Sequence, residues 1–293
     1  MKDAKFYLIL IGKANTLPDI VDINNIDFSY KTVAKLIHPD MCSLPGATDA
    51  FQKLSVLKDD YIKGTLYNDD AGEVRTNGYW VKFSGDKKLL QRSSKWLKHL
   101  LTLTKNKDLF HKYLPESFLE DNKGNTVMNL RRRSVPLTSI RGKLEQVHVN
   151  WILGRMLEFN TWLRDNGLVH CGYNPESIFI TPEDHGIQIV SFYHMTKHEG
   201  RMKTISGAFK QWYPPEIFKT KQAIYDIDIE LAKKVAIYLL GDTSGAGIKF
   251  RKTHNKDFID FVVKRDEDPV QAFLSYRNLI KKNFKKKFYE LNL

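Results

Sequence analysis

Leu168-Val-His-Cys-Gly-Tyr-Asn-Pro-Glu-Ser-Ile-Phe-Ile-Thr181 is the stretch on which the reading of this chain turns. On its N-terminal side, residues 144–166 predict one long helix that stops at Gly167, a residue type that commonly closes helices. On its C-terminal side, 178–180 and 187–190 are short apolar runs that predict two strands, and the remainder has helical spacing. Further upstream, 73–76 and 79–83 read as strands joined by a hairpin turn at Asn77-Gly78. A helix over 87–104 follows, with Leu89, Leu90, Trp96, Leu97, Leu100 and Leu101 as its apolar residues. Two more strands, 113–118 and 126–130, flank a turn at 122–125. Strands around one helix, followed mainly by helices, predict an α+β fold for everything beyond about residue 67.

The quoted stretch resembles the catalytic loop of protein kinases, His-Arg-Asp-Leu-Lys-Pro-Glu-Asn, which runs into a short apolar strand. His170, Pro175 and Glu176 are in register with that pattern. Gly172 stands in the slot of the catalytic aspartate, Asn174 in that of the lysine and Ser177 in that of the magnesium-binding asparagine. The resemblance implies a two-lobed fold with a β-rich N-lobe over 67–134 and a helical C-lobe over 135–293.

Other parts of the kinase pattern divide into kept and missing. Lys82, in Tyr79-Trp-Val-Lys-Phe83, resembles the strand lysine that grips phosphate, and it would bind nucleotide if any nucleotide is bound. Gly72 and Gly78 lack the spacing of a phosphate-covering loop, and Gln91, Arg92, Ser93 and Ser94 stand where the lysine's glutamate partner belongs. Ser191-Phe192-Tyr193 aligns with Asp-Phe-Gly, and a neutral hydroxyl replaces poorly a carboxylate that must hold a hard divalent ion. Glu183 and Asp184, in the preceding turn, are read as exposed acids. Pro214-Pro215-Glu216 resembles the Ala-Pro-Glu landmark, with Arg277 as a candidate partner for the glutamate. Asp228, followed at the proper distance by Leu239-Leu240, resembles the aspartate that ties down the catalytic-loop backbone, and His170 has a scaffolding role by the same resemblance. Retained residues build the lobe and missing ones do the reaction, so the resemblance implies a pseudokinase with no catalytic residue and no metal ligand. Cys171 beside His170 invites a thiol nucleophile, but chain neighbours usually point apart, and Cys171 reads as a small buried filler.

The first 66 residues carry a different pattern. After a short apolar element over 6–11 and a turn-rich linker over 15–27, residues 29–37 have helical spacing, with Tyr30, Val33, Leu36 and Ile37 on one side. His38-Pro39-Asp40 ends that helix, because proline disfavours its continuation. Residues 47–61 form a second helical face through Ala50, Phe51, Leu54, Leu57 and Tyr61. This hairpin resembles the J-domain of DnaJ-type co-chaperones, whose signature tripeptide lies between its second and third helices. The resemblance implies a DnaK-type chaperone as partner, met by Lys31 and Lys35 on the basic helix face and by His38, Pro39 and Asp40 in the loop. Tyr7-Leu-Ile-Leu-Ile-Gly12 matches the family's opening only loosely, and the linker is longer than usual.

Composition bounds the rest. The chain has 293 residues, a formal charge of +12 and only two cysteines, Cys42 and Cys171. Reduced thiols, no structural metal and no disulfide framework are expected. No run reaches the roughly 18 apolar residues of a membrane span, and the N-terminus lacks a signal-peptide pattern, so a cytoplasmic protein without membrane contact is expected. The charge favours acidic surfaces or nucleic acid without selecting between them. Its densest run, Lys281, Lys282, Lys285, Lys286 and Lys287, reads as the solvated face of an amphipathic helix whose apolar face is Leu279, Ile280, Phe284 and Phe288. Arg131, Arg132 and Arg133 follow a strand and form a second candidate anion site.

Three functions remain open on sequence grounds. The first is a non-catalytic adaptor whose J-like unit engages the chaperone while the pseudokinase unit holds a protein client, without a cofactor. The second is an active atypical kinase using ATP and magnesium, and the third is a basic, nucleic-acid-associated or assembly protein.

Overall fold

Asp3 opens the first helix, its carboxylate accepting the Phe6 amide at 2.9 Å, and α1 (Ala4–Lys13) runs from there. The chain is described by a computed structural model over residues 3–22, 25–140, 142, 144–285, 287 and 289–291. It divides into two compact units, Met1–Thr65 and Leu66–Leu293.

In the first unit, α2 (Ile26–Ile37) and α3 (Ala47–Lys63) complete a three-helix arrangement with α1. Ile11, Leu17, Val33, Ile37 and Leu54 are its buried centre. The apolar element expected over 6–11 is thus a full helix, because its aliphatic residues meet apolar stripes on both partners. In the linker, the Asp19 carboxylate accepts the amides of Asn15 and Thr16, which tightens the turn before α2. Gly46 has φ of +84°, a left-handed conformation that lets the chain enter α3 without Cβ strain.

The second unit begins with a five-stranded sheet: β1 (Thr65–Asn68), β2 (Gly72–Thr76), β3 (Trp80–Gly85), β4 (Ser117–Glu120) and β5 (Thr126–Asn129), in the order β1-β2-β3-β5-β4. Thr76 pairs with Val81, so the hairpin between β2 and β3 is a four-residue loop rather than a two-residue Asn77-Gly78 turn. Asn77 Oδ1 accepts the amides of Tyr79 and Trp80, closing the loop through a side chain.

Between β3 and β4 lies α4 (Lys87–Thr102), capped by the Asp86 carboxylate on the amides of Lys88 and Leu89. Strand alternation puts Val74, Val81, Phe83, Thr126 and Met128 on one buried face of the sheet. That face carries α4, whose Ser94 hydroxyl meets Thr126 Oγ1 at 3.4 Å. After the short α5 (Lys107–Phe110), residues 111–113 make a helical turn, and the strand expected over 113–118 forms only over Ser117–Glu120. Tyr113 is drawn into the core against Phe159, and its hydroxyl donates to Glu158.

The helical part is built on α6 (Gln146–Asp165), whose Ile152, Leu153, Met156, Phe159, Trp162 and Leu163 are buried. Before it comes β6 (Val135–Pro136), and after it β7 (Leu168–Val169), β8 (Ile178–Thr181), β9 (Gly186–Ile189) and β10 (Thr196–Lys197). These form a β6-β8-β9 sheet and a β10-β7 pair. Then follow α7 (Ile217–Thr220), the buried α8 (Asp226–Leu239), α9 (Lys256–Val263) and α10 (Pro269–Asn283). The last helix ends at Asn283, so Phe284 and Lys285 lie beyond it rather than on its faces, and Lys286 and Phe288 fall outside the described residues. Ala272 and Tyr276 are its buried anchors.

Candidate functional site

Two places hold the residues singled out by sequence. In the first unit, α2 ends at His38, whose carbonyl accepts the amides of Met41 and Cys42 at 2.8 and 2.9 Å. The His38 ring stands edge-on to Phe51 at 4.9 Å, and its Nδ1 accepts the Asp40 amide at 3.2 Å. A proline with fixed φ and an aromatic contact from α3 make this turn rigid. The Asp40 side chain is 86% exposed, while Lys31 and Lys35 lie one turn apart on the outer side of α2. Val33 and Ile37 face inward between them.

In the second unit, the 168–181 stretch is held from beneath by α8. Asp228 is buried and its two carboxylate oxygens accept the amides of His170 and Cys171, each at 2.7 Å. Burial pushes this carboxyl up to about 7 against the pull of the two amides. The His170 ring stacks on Tyr173 at 4.2 Å, and its Nε2 donates to the Ser191 carbonyl at 2.9 Å. Burial lowers the imidazole to about 3, so it is neutral. Burial and then the Asp228 carboxylate raise the Cys171 thiol, which makes it a poor nucleophile.

Gly172, Asn174 and Ser177 close on one another. Asn174 Oδ1 accepts the amides of Glu176 and Ser177 at 2.9 Å, and the Ser177 hydroxyl donates to the Asn174 carbonyl at 3.0 Å. His170, Gly172, Asn174, Ser177 and Ser191 are therefore gathered in one buried region, in which the Asn174 amide oxygen and the Ser177 hydroxyl are turned on the loop's own backbone.

The space in front of that cluster is filled. A Cβ on Gly172 would lie 2.5 Å from His194 Cδ2. His194 is buried, with Nε2 donating to Asp70 at 3.1 Å and Nδ1 2.9 Å from the Thr204 hydroxyl. Its neighbour Tyr193 lies edge-on to Phe83 of β3 at 6.4 Å and donates its hydroxyl to Asp69 at 2.7 Å. Asp70 also accepts the Gly207 amide at 2.8 Å. The β1–β2 connection is thereby bonded down onto residues 193–207. Two further ties come from α4: the Ser93 hydroxyl accepts the Phe192 amide at 2.9 Å, and Arg92 donates to the Met195 carbonyl at 3.2 Å.

Three carboxyls gather around this plug. Burial pushes Asp69 up to about 6, while burial and then Asp70 and Asp69 push Glu176 up to about 8. Burial also acts to raise Asp70, but the bonds from His194, Ser206 and Gly207 outweigh it and hold that carboxyl below its ordinary range.

Lys82 lies elsewhere. Val81 and Phe83 face α4, so the lysine between them points from the opposite face of the sheet and pairs with Asp121 at 3.6 Å. Phe83, not a lysine, faces the plug. The Glu216 partner is also different from the one expected. Arg265 bridges Glu216 at 2.5 Å and Asp226 at 2.7 Å, whereas Arg277 sits over the Phe273 ring. Pro215 precedes Glu216 at the start of α7, where its carbonyl accepts the Phe218 amide at 3.3 Å.

The three arginines after β5 are not a free triplet. Arg131 donates to the carbonyls of His111 and Leu114, and Arg132 pairs with Asp184 at 2.8 Å. Asp69, Asp70, His194 and Arg265 were missed by the sequence reading, because their partners lie far away along the chain. Among the described residues, no group of His, Cys, Asp and Glu is arranged to hold a metal ion, and no helix is long and apolar enough to cross a membrane.

No family model matches the chain, and no curated protein matches its sequence. It is similar to a solved structure described as that of vaccinia related kinase 3, with 15% identity and a TM-score of 0.45, over 75% of this chain and 91% of that one. In the second unit, α4 lies between the third and fourth strands of a β1-β2-β3-β5-β4 sheet, and a helical part follows in which Asp228 holds the 168–181 loop.

Proposed function

We propose that this chain is a non-catalytic adaptor, with a J-like unit that engages a DnaK-type chaperone and a pseudokinase unit that binds a protein client. The observation that carries this reading is the contrast between its two loops. Asp40 and the lysines of α2 are open to a partner, while the space before Gly172 holds His194 and Tyr193.

The residues gathered there do not suit a magnesium nucleotide. Such a ligand needs cations or free amides for its phosphates and free carboxylates for its metal, and here Asp69 and Asp70 are taken up by Tyr193, His194 and Gly207. Ser177 is bonded within its own loop, and Lys82 is on the far face of the sheet. Loss of even one charge-stabilising contact commonly costs on the order of a hundredfold in rate, and here several are absent together. Lys31, Lys35, His38, Pro39 and Asp40 are the residues assigned to chaperone contact.

The test is the ATPase rate of a DnaK-type chaperone from the same host with the full-length protein added. Stimulation abolished by His38→Gln is the expected result. Absence of any stimulation by the parent protein would overturn the chaperone role. Stoichiometric phosphate transfer from labelled ATP with magnesium or manganese would overturn the pseudokinase assignment.

A further inference from the structure

Residues 201–205 and α7 enclose a groove of about 380 Å³ on the second unit. Its charged lining is Arg201, Lys203 and Lys221, with no carboxylate among the described lining residues. All three cations are exposed, and no ion pair with a described acid neutralises them. A fourth cation stands close by: Lys210 Nζ lies 5.6 Å above the Phe218 ring. Between the charges the lining is apolar, with Met202 and Ile217 buried and Phe218 41% exposed.

The groove has a fixed frame. The Met202 amide donates to the Lys221 carbonyl at 2.7 Å, and Ala223 and Gly200 pair beside it at 2.9 Å. Lys221 is held at φ +53°, a left-handed backbone rare for a side-chain-bearing residue, which turns the chain at the end of α7. Thr204 is tied to His194. One wall of the groove is therefore anchored to the plug.

We infer that this groove docks an acidic peptide segment of a partner protein, an apolar side chain entering between Ile217 and Phe218 while flanking carboxylates meet Arg201, Lys203 and Lys221. Charge complementarity selects an anion, because unpaired cations attract one over the whole approach path. The exposed ring selects peptide over nucleic acid: a phosphate backbone would leave Phe218 without a counterpart, whereas an apolar anchor removes it from water. The inference rests on the reading of this unit as a binding module and names the chemistry of its client.

The experiment uses the full-length protein and a labelled peptide with a central phenylalanine flanked by glutamates. Binding should weaken steeply with salt and fall at least about tenfold in Lys203→Glu/Lys221→Glu. Lys203→Gln/Lys221→Gln, which removes charge without adding repulsion, should fall in the same direction with an unchanged circular dichroism spectrum. Phe218→Ser should abolish the preference for the phenylalanine peptide over its alanine counterpart. Equal binding of a glutamine-for-glutamate peptide, or unchanged binding by the charge variants, overturns the inference. Displacement by a single-stranded oligonucleotide that depends on Lys203 and Lys221 but not on Phe218 would make this a phosphate site and overturn it as well. Chaperone stimulation is read separately: its absence alongside peptide binding removes the adaptor and leaves the groove.

Discussion

The His194 imidazole and Gly172 are complementary: the ring lies where a side chain on residue 172 would begin, 2.5 Å from an ideal Cβ. Replacing the glycine by the missing aspartate therefore does not reopen a site. Gly172→Asp should lower stability by about 2 kcal/mol through overpacking, seen as a fall of several degrees in the melting temperature. The double variant Gly172→Asp/His194→Ala should regain part of that loss, because the ring is what the new carboxylate meets. On the proposed reading, neither variant transfers phosphate from labelled ATP.

Asp228 and Glu176 make stability depend on pH in a defined direction. Their folded values, about 7 and about 8, lie above the ordinary 3.8 and 4.5, so the folded unit holds protons that the unfolded chain releases. Stability from these groups is complete at low pH and is lost as pH rises through the folded values. Buried His170 and His185 act oppositely, since they are lowered from 6.5 to about 3 and about 4, but only the tail of their contribution lies above pH 6.5. Between pH 6.5 and 8 the carboxyls dominate, and the midpoint of urea unfolding should fall. Glu176→Gln, which keeps an uncharged group near Asp69 and Asp70, should flatten that slope.

Arg265 joins the end of the 191–216 segment to the start of α8 by holding Glu216 and the 5%-exposed side chain of Asp226. Arg265→Ala leaves a buried carboxylate without its cation and should cost roughly 2 kcal/mol. Arg277→Ala, the change that sequence spacing would have selected, should stay within about 0.5 kcal/mol. Chemical denaturation of the two variants side by side separates the assignments.

Lys82→Ala should be close to silent. Its bond to Asp121 is half-exposed, with side-chain exposures of 41% and 28%, and surface pairs of this kind contribute about 0–1 kcal/mol. A thermal melt within about a degree of the parent is expected.

The larger helices and the β2–β3 hairpin of the second unit were legible because they announce themselves within a short window: the alternation in β3, the long apolar run of α6, the glycine at 167. The first helix was obscured, since α1 is aliphatic on several sides and shows no clear polar face. Lys82 was readable but misread; its neighbours Val81 and Phe83 already state, through the period of two, that the lysine points away from the core. The plug lay outside sequence reach. Asp69 with Tyr193, and Asp70 with His194, are pairs separated by 124 residues, and nothing in either segment names the other. Arg265 escaped for a related reason: which arginine reaches Glu216 depends on how α8 and α9 pack, not on distance along the chain.

The bonds from Asp69 and Asp70 to Tyr193, His194 and Gly207 cross from the sheet to the helical part. Any opening of one part against the other would strand buried hydroxyl, imidazole and carboxyl groups together, at a cost comparable with unfolding. Breathing of the kind that admits and releases small molecules is thereby suppressed. Residues 66–293 should melt as one cooperative block, a calorimetric behaviour unlike that of a hinged pair of lobes.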